Sequence, residues 1–159
     1  IPARVGGISV LASGPEAPGS AAVEAVLDAG RRGGTTVVCD AVRTPGPSDI
    51  AVAGADLAVL CAQATLRGAA AGAVTAGQLR RANPNAGLVV RGPAPGGLRA
   101  ADIAGEVGLP LLGAMRPQPQ LAEQLERGGL QLAGRSPLAR GADQVLRTLA
   151  RAVASGRVA

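Results

Sequence analysis

The carboxylate best placed for chemistry is Asp40, which ends the apolar run Thr35-Thr36-Val37-Val38-Cys39. Val and Thr favour strands, and an apolar run without alternation is typical of a parallel strand that is covered on both faces. Ligands of open α/β sheets bind beyond the carboxyl ends of such strands. Asp40 is therefore a candidate to hold a water molecule of a magnesium shell, and a helix-capping or loop carboxylate is the alternative interpretation.

Arginines follow several of the predicted strands. Arg43, Arg91 and Arg116 each come after an apolar run. Because the carboxyl ends of parallel strands meet at one edge of a sheet, the three guanidinium groups are predicted to form a positive rim there. Such a rim would suit an anionic ligand or an acidic protein partner. Arginines that only face solvent at the strand ends are the alternative.

The spacing Gly14-x-x-x-x-Gly19-Ser20 lies between a predicted strand and a predicted helix, which is the setting of a phosphate-binding loop. The loop has no Lys, and Glu16 within it would repel phosphate, so an ordinary turn is favoured. The chain also has no His, no C-x-x-C pair and no G-x-G-x-x-G motif. Zinc sites, catalytic triads and dinucleotide binding therefore have no support in the sequence.

Composition limits the class of protein further. The chain of 159 residues has 47% apolar residues but no Phe, Trp or Tyr, so its core must be aliphatic. The net charge is +5, yet the arginines are scattered and no aromatic ring can stack on a base, so specific nucleic-acid binding is not expected. Cys39 and Cys61 are expected to be buried, reduced thiols of a cytoplasmic protein. No apolar run has the length of a membrane span.

Predicted strands and helices alternate along the chain. The strands are predicted at 7–12, 35–40, 56–61, 87–91 and 109–115, with helices between them and a last helix that begins at Ser136-Pro137. This alternation predicts an α/β fold, an open doubly wound parallel sheet of about five strands with flanking helices, in a single domain over residues 1–159. One face of the last helix carries Arg140, Arg147 and Arg151. Because its apolar face lacks bulky anchors, membrane contact is expected to be peripheral at most.

The order of these segments resembles the MinD/ParA family. The matching segments are Val37-Val38-Cys39-Asp40, residues 55–60, Leu88-Val89-Val90-Arg91, residues 108–113, and Arg116-Pro117. Within the family the chain is most similar to the actinobacterial CpaE-like septum-site-determining proteins, through residues 88–93. The resemblance covers about residues 5–153. It implies a partial P-loop NTPase-like fold and the carboxyl-terminal part of a longer MinD/ParA-like protein, without the P-loop.

The resemblance also implies site residues and cofactors. Asp40 matches the family Asp that supports magnesium through water, and Arg91 stands where many members have an Asn that reads adenine. Pro93 and Arg116 are the other two positions on the nucleotide side. The intact family binds ATP and Mg²⁺, but no cofactor is expected for this chain, because it lacks the Lys-containing loop that holds the phosphates.

The leading hypothesis is a MinD/ParA-like regulatory protein of septum-site determination and cell-division control, which acts by binding proteins and not by ATP hydrolysis. One alternative is a CpaE/TadZ-like localisation factor for pilus or secretion machinery, and another is a small α/β enzyme for an anionic metabolite. The expected partners are proteins of the division or secretion machinery. A homodimer or an aggregation-prone monomer is expected, because a doubly wound sheet without its first strands leaves an apolar strand edge exposed.

Overall fold

The structure is a computed structural model that describes residues 3–5, 7–12, 18–42, 46–129 and 132–156. The chain divides into two compact units, the first ending at Gly54 and the second beginning at Ala55. The organisation of residues 1–159 as one domain stays a prediction.

The first unit holds two short strands and two helices: β1 (Ala3–Val5), β2 (Ile8–Val10), α1 (Ser20–Arg32) and α2 (Pro47–Ala53). β1 and β2 pair antiparallel around a turn that contains Gly7 at φ +85°. Gly adopts this backbone conformation at little cost, which permits the tight reversal. The prediction of a parallel strand over 7–12 is therefore wrong, because a hairpin partner next to it in sequence requires closure of only a very short loop.

The apolar run from Thr35 to Asp40 forms no strand, which corrects the prediction for this segment. All of its residues are exposed, and Val38 is 88% exposed. Val37 packs against Gly30 of α1, but a parallel strand also needs a hydrogen-bonded neighbour and cover on both faces. No strand among the described residues pairs with this run, so its strand propensity is not realised.

The predicted helix before this run is confirmed as α1. It ends at Gly33, whose N–H donates to the Ala29 carbonyl at 2.9 Å. In the last turn, the Arg31 guanidinium donates to the Asp28 carboxylate at 3.2 Å and to the Gly54 carbonyl at 2.7 Å. Since Gly54 ends α2, Arg31 ties the two helices of this unit together.

The second unit is an α/β unit built on a parallel sheet. Its strands are β3 (Ala58–Gln63), β4 (Ala86–Arg91) and β5 (Leu111–Met115), and its helices are α3 (Leu66–Ala82), α4 (Ala100–Val107), α5 (Leu121–Glu126) and α6 (Pro137–Gly156). The strand order is β3-β4-β5. The predicted strands at 56–61, 87–91 and 109–115 are thus confirmed. Among the described residues the parallel sheet has three strands and not about five, because 7–12 lies in a hairpin and 35–40 forms no strand.

One face of the sheet is covered by α3 and α4. Gly72 of α3 lies so close to Val107 that a Cβ at position 72 would be 2.9 Å from a Val107 methyl and 3.7 Å from the Ala62 Cβ. Leu88 and Ile103 fill this layer at 0% and 2% exposure. The small residues let the helices approach the sheet closely, which is how a core without aromatic side chains reaches a dense packing.

α6 packs on the other face, on the β5 side of the sheet. Gly113 of β5 lies against the Gln144 side chain of α6. In the ladder Ala62 pairs with Val90 and Gly113 pairs with Val89, and successive residues of a strand point to opposite faces. α6 therefore packs on the face opposite α3 and α4, and helices flank both sides of the sheet as predicted.

Of the two buried polar residues in the described ranges, Asn83 is the more deeply buried, at 2% exposure. It caps α3, and its side-chain amide donates to the Ala55 carbonyl at 2.7 Å while its side-chain oxygen accepts from the Asn85 N–H at 2.8 Å. The side chain thereby connects the end of α3 to the segments that lead into β3 and β4. α3 thus ends directly before Asn83-Pro84-Asn85.

Candidate functional site

The carboxyl ends of the three parallel strands form one edge of the sheet, where Gln63, Arg91 and Met115 lie side by side. Main-chain bonds continue beyond the strands: the Ala64 N–H donates to the Arg91 carbonyl at 2.9 Å, and the Gly92 N–H donates to the Met115 carbonyl at 2.8 Å. These bonds fix the register of the three strand ends. We call the following set the carboxyl edge: Gln63, Arg91, Pro93, Met115 and Arg116.

The charge of the carboxyl edge comes from Arg91 and Arg116. Both are exposed, and neither forms an ion pair with an acid of the described ranges. Because Arg116 directly follows Met115, which is the ladder neighbour of Arg91, the two guanidinium groups start from adjacent strand ends. The structure therefore places the main chains of these two arginines at adjacent strand ends, as the strand-end argument predicts. Arg43, the third predicted member of the rim, lies outside the described residues.

Pro93 lies in the loop that leaves the sheet after β4. The Gly92–Pro93 peptide bond is cis, and Pro93 is exposed. The loop turns again at Gly97, which has φ +71° and donates its N–H to the Ala94 carbonyl at 2.9 Å. Pro93 thus stands next to Arg91 on the surface and not in the core.

The start of α6 also lies at this edge, which the sequence did not indicate. Gly141 packs on Met115 at the end of β5, whereas Gln144, one turn later, packs on Gly113. α6 therefore runs antiparallel to β5 and begins near the carboxyl edge. Ser136 caps it by accepting the Ala139 N–H at 3.2 Å. The partial positive charge of a helix start adds to the positive potential of the two arginines.

Asp40 belongs to the first unit, whereas the carboxyl edge belongs to the second. It is exposed, and it follows a segment that is not a strand, so its predicted place at a strand end is wrong. Of the glycine-loop spacing, Gly14 lies outside the described residues, and Gly19 and Ser20 begin α1. Within the described ranges no group of three or more His, Cys, Asp or Glu could hold a metal ion. A role of Asp40 beside magnesium stays a prediction.

The carboxyl edge is equipped to bind an anion. Arg91 and Arg116 can each present two parallel N–H donors to a carboxylate or phosphate, and the Gln63 amide adds a neutral donor. None of the five residues of the edge is a carboxylate, thiol or hydroxyl. The edge therefore supplies recognition, and it has no side chain that would act as a nucleophile or as a general base.

A groove lies at the opposite end of β5 from the carboxyl edge. It is a groove of about 610 Å³ between the start of the strand and α6, lined by Pro110, Leu111, Leu112, Gln144, Arg147, Thr148 and Arg151. Arg147 and Arg151 belong to the predicted basic face of the last helix, and both are exposed. Of the helices that the structure describes, none is both long and apolar enough to cross a membrane.

The two cysteines, which the sequence predicts to be buried, are both exposed. Cys39 lies in the irregular segment after α1. Cys61 and Ala62 point to opposite faces of β3, and Cys61 lies on the face that carries α6. On that face α6 packs on β5, which is two strands away from β3. Both predictions failed because they assumed a sheet that is covered on both faces at these positions.

Comparison with known proteins gives two relatives in Mycobacterium tuberculosis. No protein-family model matches the chain, and no solved structure matches it. Uncharacterized protein MT3760 of strain CDC 1551 / Oshkosh is 57% identical over 136 residues, which are 85% of this chain and 39% of the relative. Uncharacterized protein Rv3660c of strain H37Rv matches with the same identity and coverage. The chain thus spans about two fifths of the length of the curated relatives it matches.

Proposed function

We propose that this chain is a protein-binding module of a MinD/ParA-like regulatory protein that acts in septum-site determination and cell-division control. The observation that carries the proposal is the exposed carboxyl edge of a parallel sheet, which presents Arg91 and Arg116 without acidic neighbours in the described ranges. An open α/β sheet binds its ligands at this edge. An acidic surface of a division protein is the partner that fits the charge.

We further propose that the α/β unit has a partial P-loop NTPase-like fold. The strand-helix order β3-α3-β4-α4-β5 and the helices on both faces support it. The segments of the resemblance, residues 88–91 and 108–113, fall on β4 and on β5 with the loop before it. The relatives are longer than the region they share with this chain, which supports a module within a larger protein.

The residues of this chain do not fit a phosphate-transfer site. Phosphoryl transfer needs a Lys and main-chain amides around the phosphates and carboxylate or hydroxyl support for Mg²⁺. The chain contains no Lys, and Asp40 is the one carboxylate with a proposed magnesium role, outside any acidic cluster of the described ranges. We therefore attribute ATP and Mg²⁺ binding to intact members of the family. We propose that this module binds proteins and does not hydrolyse ATP. In this proposal it acts in the cytoplasm, with membrane contact that is peripheral at most.

The proposal is tested by the position of a fluorescent fusion of this chain in a mycobacterial host. We expect the native fusion to concentrate at division septa and the Arg91→Glu variant to spread through the cell, because reversal of one of the two edge charges repels an acidic partner. Time-lapse microscopy of dividing cells provides the measurement.

Arg81→Glu is the matched control for this experiment. Arg81 is an exposed arginine in the last turn of α3, away from the carboxyl edge, and the substitution changes the net charge equally. It is expected to leave the septal signal unchanged. A native fusion that stays diffuse, or an Arg91→Glu fusion that still marks septa, contradicts the proposal.

A second candidate function uses the same edge for an anionic metabolite. The guanidinium groups of Arg91 and Arg116, which form no ion pair with the acids that the structure describes, favour it. A thermal-shift screen with phosphorylated metabolites and nucleotides would separate the two. A stabilising compound would favour the metabolite, and a flat response would remove it. Another alternative is a CpaE/TadZ-like localisation factor for pilus or secretion machinery, which would also act by binding proteins. Secretion ATPase genes beside the parent gene would favour this alternative.

A further inference from the structure

The groove between α6 and the start of β5 has two walls of different chemistry. The β5 wall is apolar and consists of Pro110, Leu111 and Leu112, whereas the α6 wall carries the guanidinium groups of Arg147 and Arg151. All the described residues that line the groove belong to the second unit, and most of them are exposed. Small molecules are usually enclosed by their pockets, so an open groove of this kind is better suited to a segment of polypeptide that crosses it.

A β-bulge builds the apolar wall. Leu111 and Gly113 pair with consecutive residues of β4, so Leu112 between them is the extra residue. The Leu112 side chain lies against Gly87 of β4, where a side chain on the neighbouring strand would block it. Bulges often redirect a side chain beside a binding site. Here the bulge directs Leu112 into the groove.

The two arginines of the other wall are available to a ligand. Neither Arg147 nor Arg151 forms an ion pair with an acid of the described ranges, although Asp143 lies one turn before Arg147. Arg151 donates to the Thr148 hydroxyl at 3.3 Å, and this hydroxyl donates to the Gln144 carbonyl at 3.1 Å. Because a guanidinium group has several N–H donors, this contact orients Arg151 and leaves donors for a ligand.

The spacing of the two arginines matches an extended chain. Arg147 and Arg151 are about 6 Å apart along the axis of α6, because an α-helix rises about 1.5 Å per residue. Alternate residues of an extended chain are about 6.7 Å apart and point to the same side. Two acidic side chains with one residue between them can therefore face the two arginines. The residue between them then points to the opposite wall, where Leu111 offers an apolar surface.

We propose that this groove binds an extended segment of a partner protein in which two acidic residues alternate with apolar residues. The acidic residues pair with Arg147 and Arg151, and the apolar residues pack on Leu111, which is 41% exposed, and on Leu112. The complementary charge fixes the register of the segment in the groove. The groove and the carboxyl edge lie at opposite ends of β5, so this inference does not depend on the proposed function.

The test is fluorescence anisotropy at low salt with the purified full chain and a fluorescein-labelled peptide, Ser-Glu-Leu-Glu-Val-Ser. The native chain is expected to bind it saturably. Arg147→Glu is expected to weaken binding about tenfold, because reversal of an exposed charge turns an attraction into a repulsion. Leu111→Ser is expected to weaken it about fivefold through loss of apolar contact. Both residues are exposed, so the far-UV circular dichroism spectra of the variants are expected to match that of the native chain.

Three controls separate the groove from the rest of the basic surface. Arg81→Glu changes the net charge equally on α3 and is expected to leave binding unchanged. The chain with both Arg91→Glu and Arg116→Glu is also expected to bind the peptide as the native chain does. A peptide of the same composition with adjacent acids, Ser-Glu-Glu-Leu-Val-Ser, is expected to bind about tenfold more weakly, because consecutive side chains of an extended chain point to opposite sides.

Three results would overturn the proposal: a native chain that does not bind the peptide, an Arg147→Glu or Leu111→Ser chain that binds as tightly as the native one, and equal binding of the two peptides. Loss of binding only in the Arg91→Glu and Arg116→Glu chain would place the peptide at the carboxyl edge and would also overturn it. A native chain that ignores the peptide but binds phosphatidylglycerol vesicles through Arg147 would assign the groove to a membrane surface instead.

Discussion

Replacement of Asn83 by Ala is expected to lower the free energy of unfolding by about 3 kcal/mol. The Asn83 side chain donates to the Ala55 carbonyl at 2.7 Å and accepts from the Asn85 N–H at 2.8 Å, and Asn83 is 2% exposed. Removal of one partner leaves the other group without its hydrogen bond, at about 1–3 kcal/mol for each buried group. The two partner groups, which are partly buried, lie where the chain enters β3 and β4, so the loss affects the start of the sheet.

The measurement is urea unfolding followed by far-UV circular dichroism, since the chain has no Trp or Tyr to report by fluorescence. Asn85→Ala is the matched control: Asn85 is exposed and uses its main-chain N–H in this contact, which the substitution keeps. The control is expected to change the unfolding free energy by less than about 0.5 kcal/mol. Equal effects of the two substitutions would show that the buried side chain does not hold these segments.

Gly68→Ala is expected to destabilise the chain by about 2–3 kcal/mol, although Ala is the better helix former. A Cβ at position 68 would overlap the main-chain carbonyl oxygen of Gln63. A carbonyl of the main chain cannot rotate away as a side chain can, so the first turn of α3 must move. That movement would also disturb the cap in which the Thr65 hydroxyl accepts the Gly68 N–H at 3.0 Å.

Gly77→Ala provides the opposite expectation within the same helix. No atom of the described residues lies within 4 Å of a Cβ built on Gly77, so the substitution is expected to stabilise by about 0.5–1 kcal/mol through helix propensity alone. Urea midpoints of the two variants measure both effects. If Gly68→Ala were as stable as Gly77→Ala, the close approach of α3 to the end of β3 would be wrong.

The contrast between these two glycines shows what the sequence could tell about packing. Gly68, Gly72 and Gly77 all lie in α3, and the sequence alone does not distinguish their surroundings. In the structure Gly68 and Gly72 are in tight contact, whereas Gly77 faces open space. Helical periodicity fixes which residues share a face, but it does not fix how closely the neighbouring strand approaches.

The strands show the same limit. The runs at 35–40 and at 56–61 have similar apolar patterns, yet the second became β3 and the first formed no strand. A pattern expresses the preference of a segment for a buried sheet, but the strand forms only where a neighbour supplies hydrogen bonds. β3 has β4 beside it, and in the described ranges no strand pairs with 35–40.

The sequence predicted the residues of the candidate site correctly only where it also predicted the strands correctly. Arg91 and Arg116 lie at adjacent strand ends because Arg91 ends and Arg116 follows a correctly predicted strand, and parallel strands end at the same edge. The placement of Asp40 at a strand end failed with its strand. The start of α6 at the carboxyl edge was not predictable from Ser136-Pro137, because a capping motif shows where a helix begins and not where it lies on the sheet.

The most direct test of the central claim, that the carboxyl edge binds a partner in cell-division control, is cell length in a mycobacterial host that overproduces this chain. We predict elongated cells for the native chain and for Arg81→Glu, because an excess of the module occupies its division partner. Normal length is predicted for a variant that carries both Arg91→Glu and Arg116→Glu at the same protein level. Normal length with the native chain, or elongation that persists in the double variant, would contradict the account.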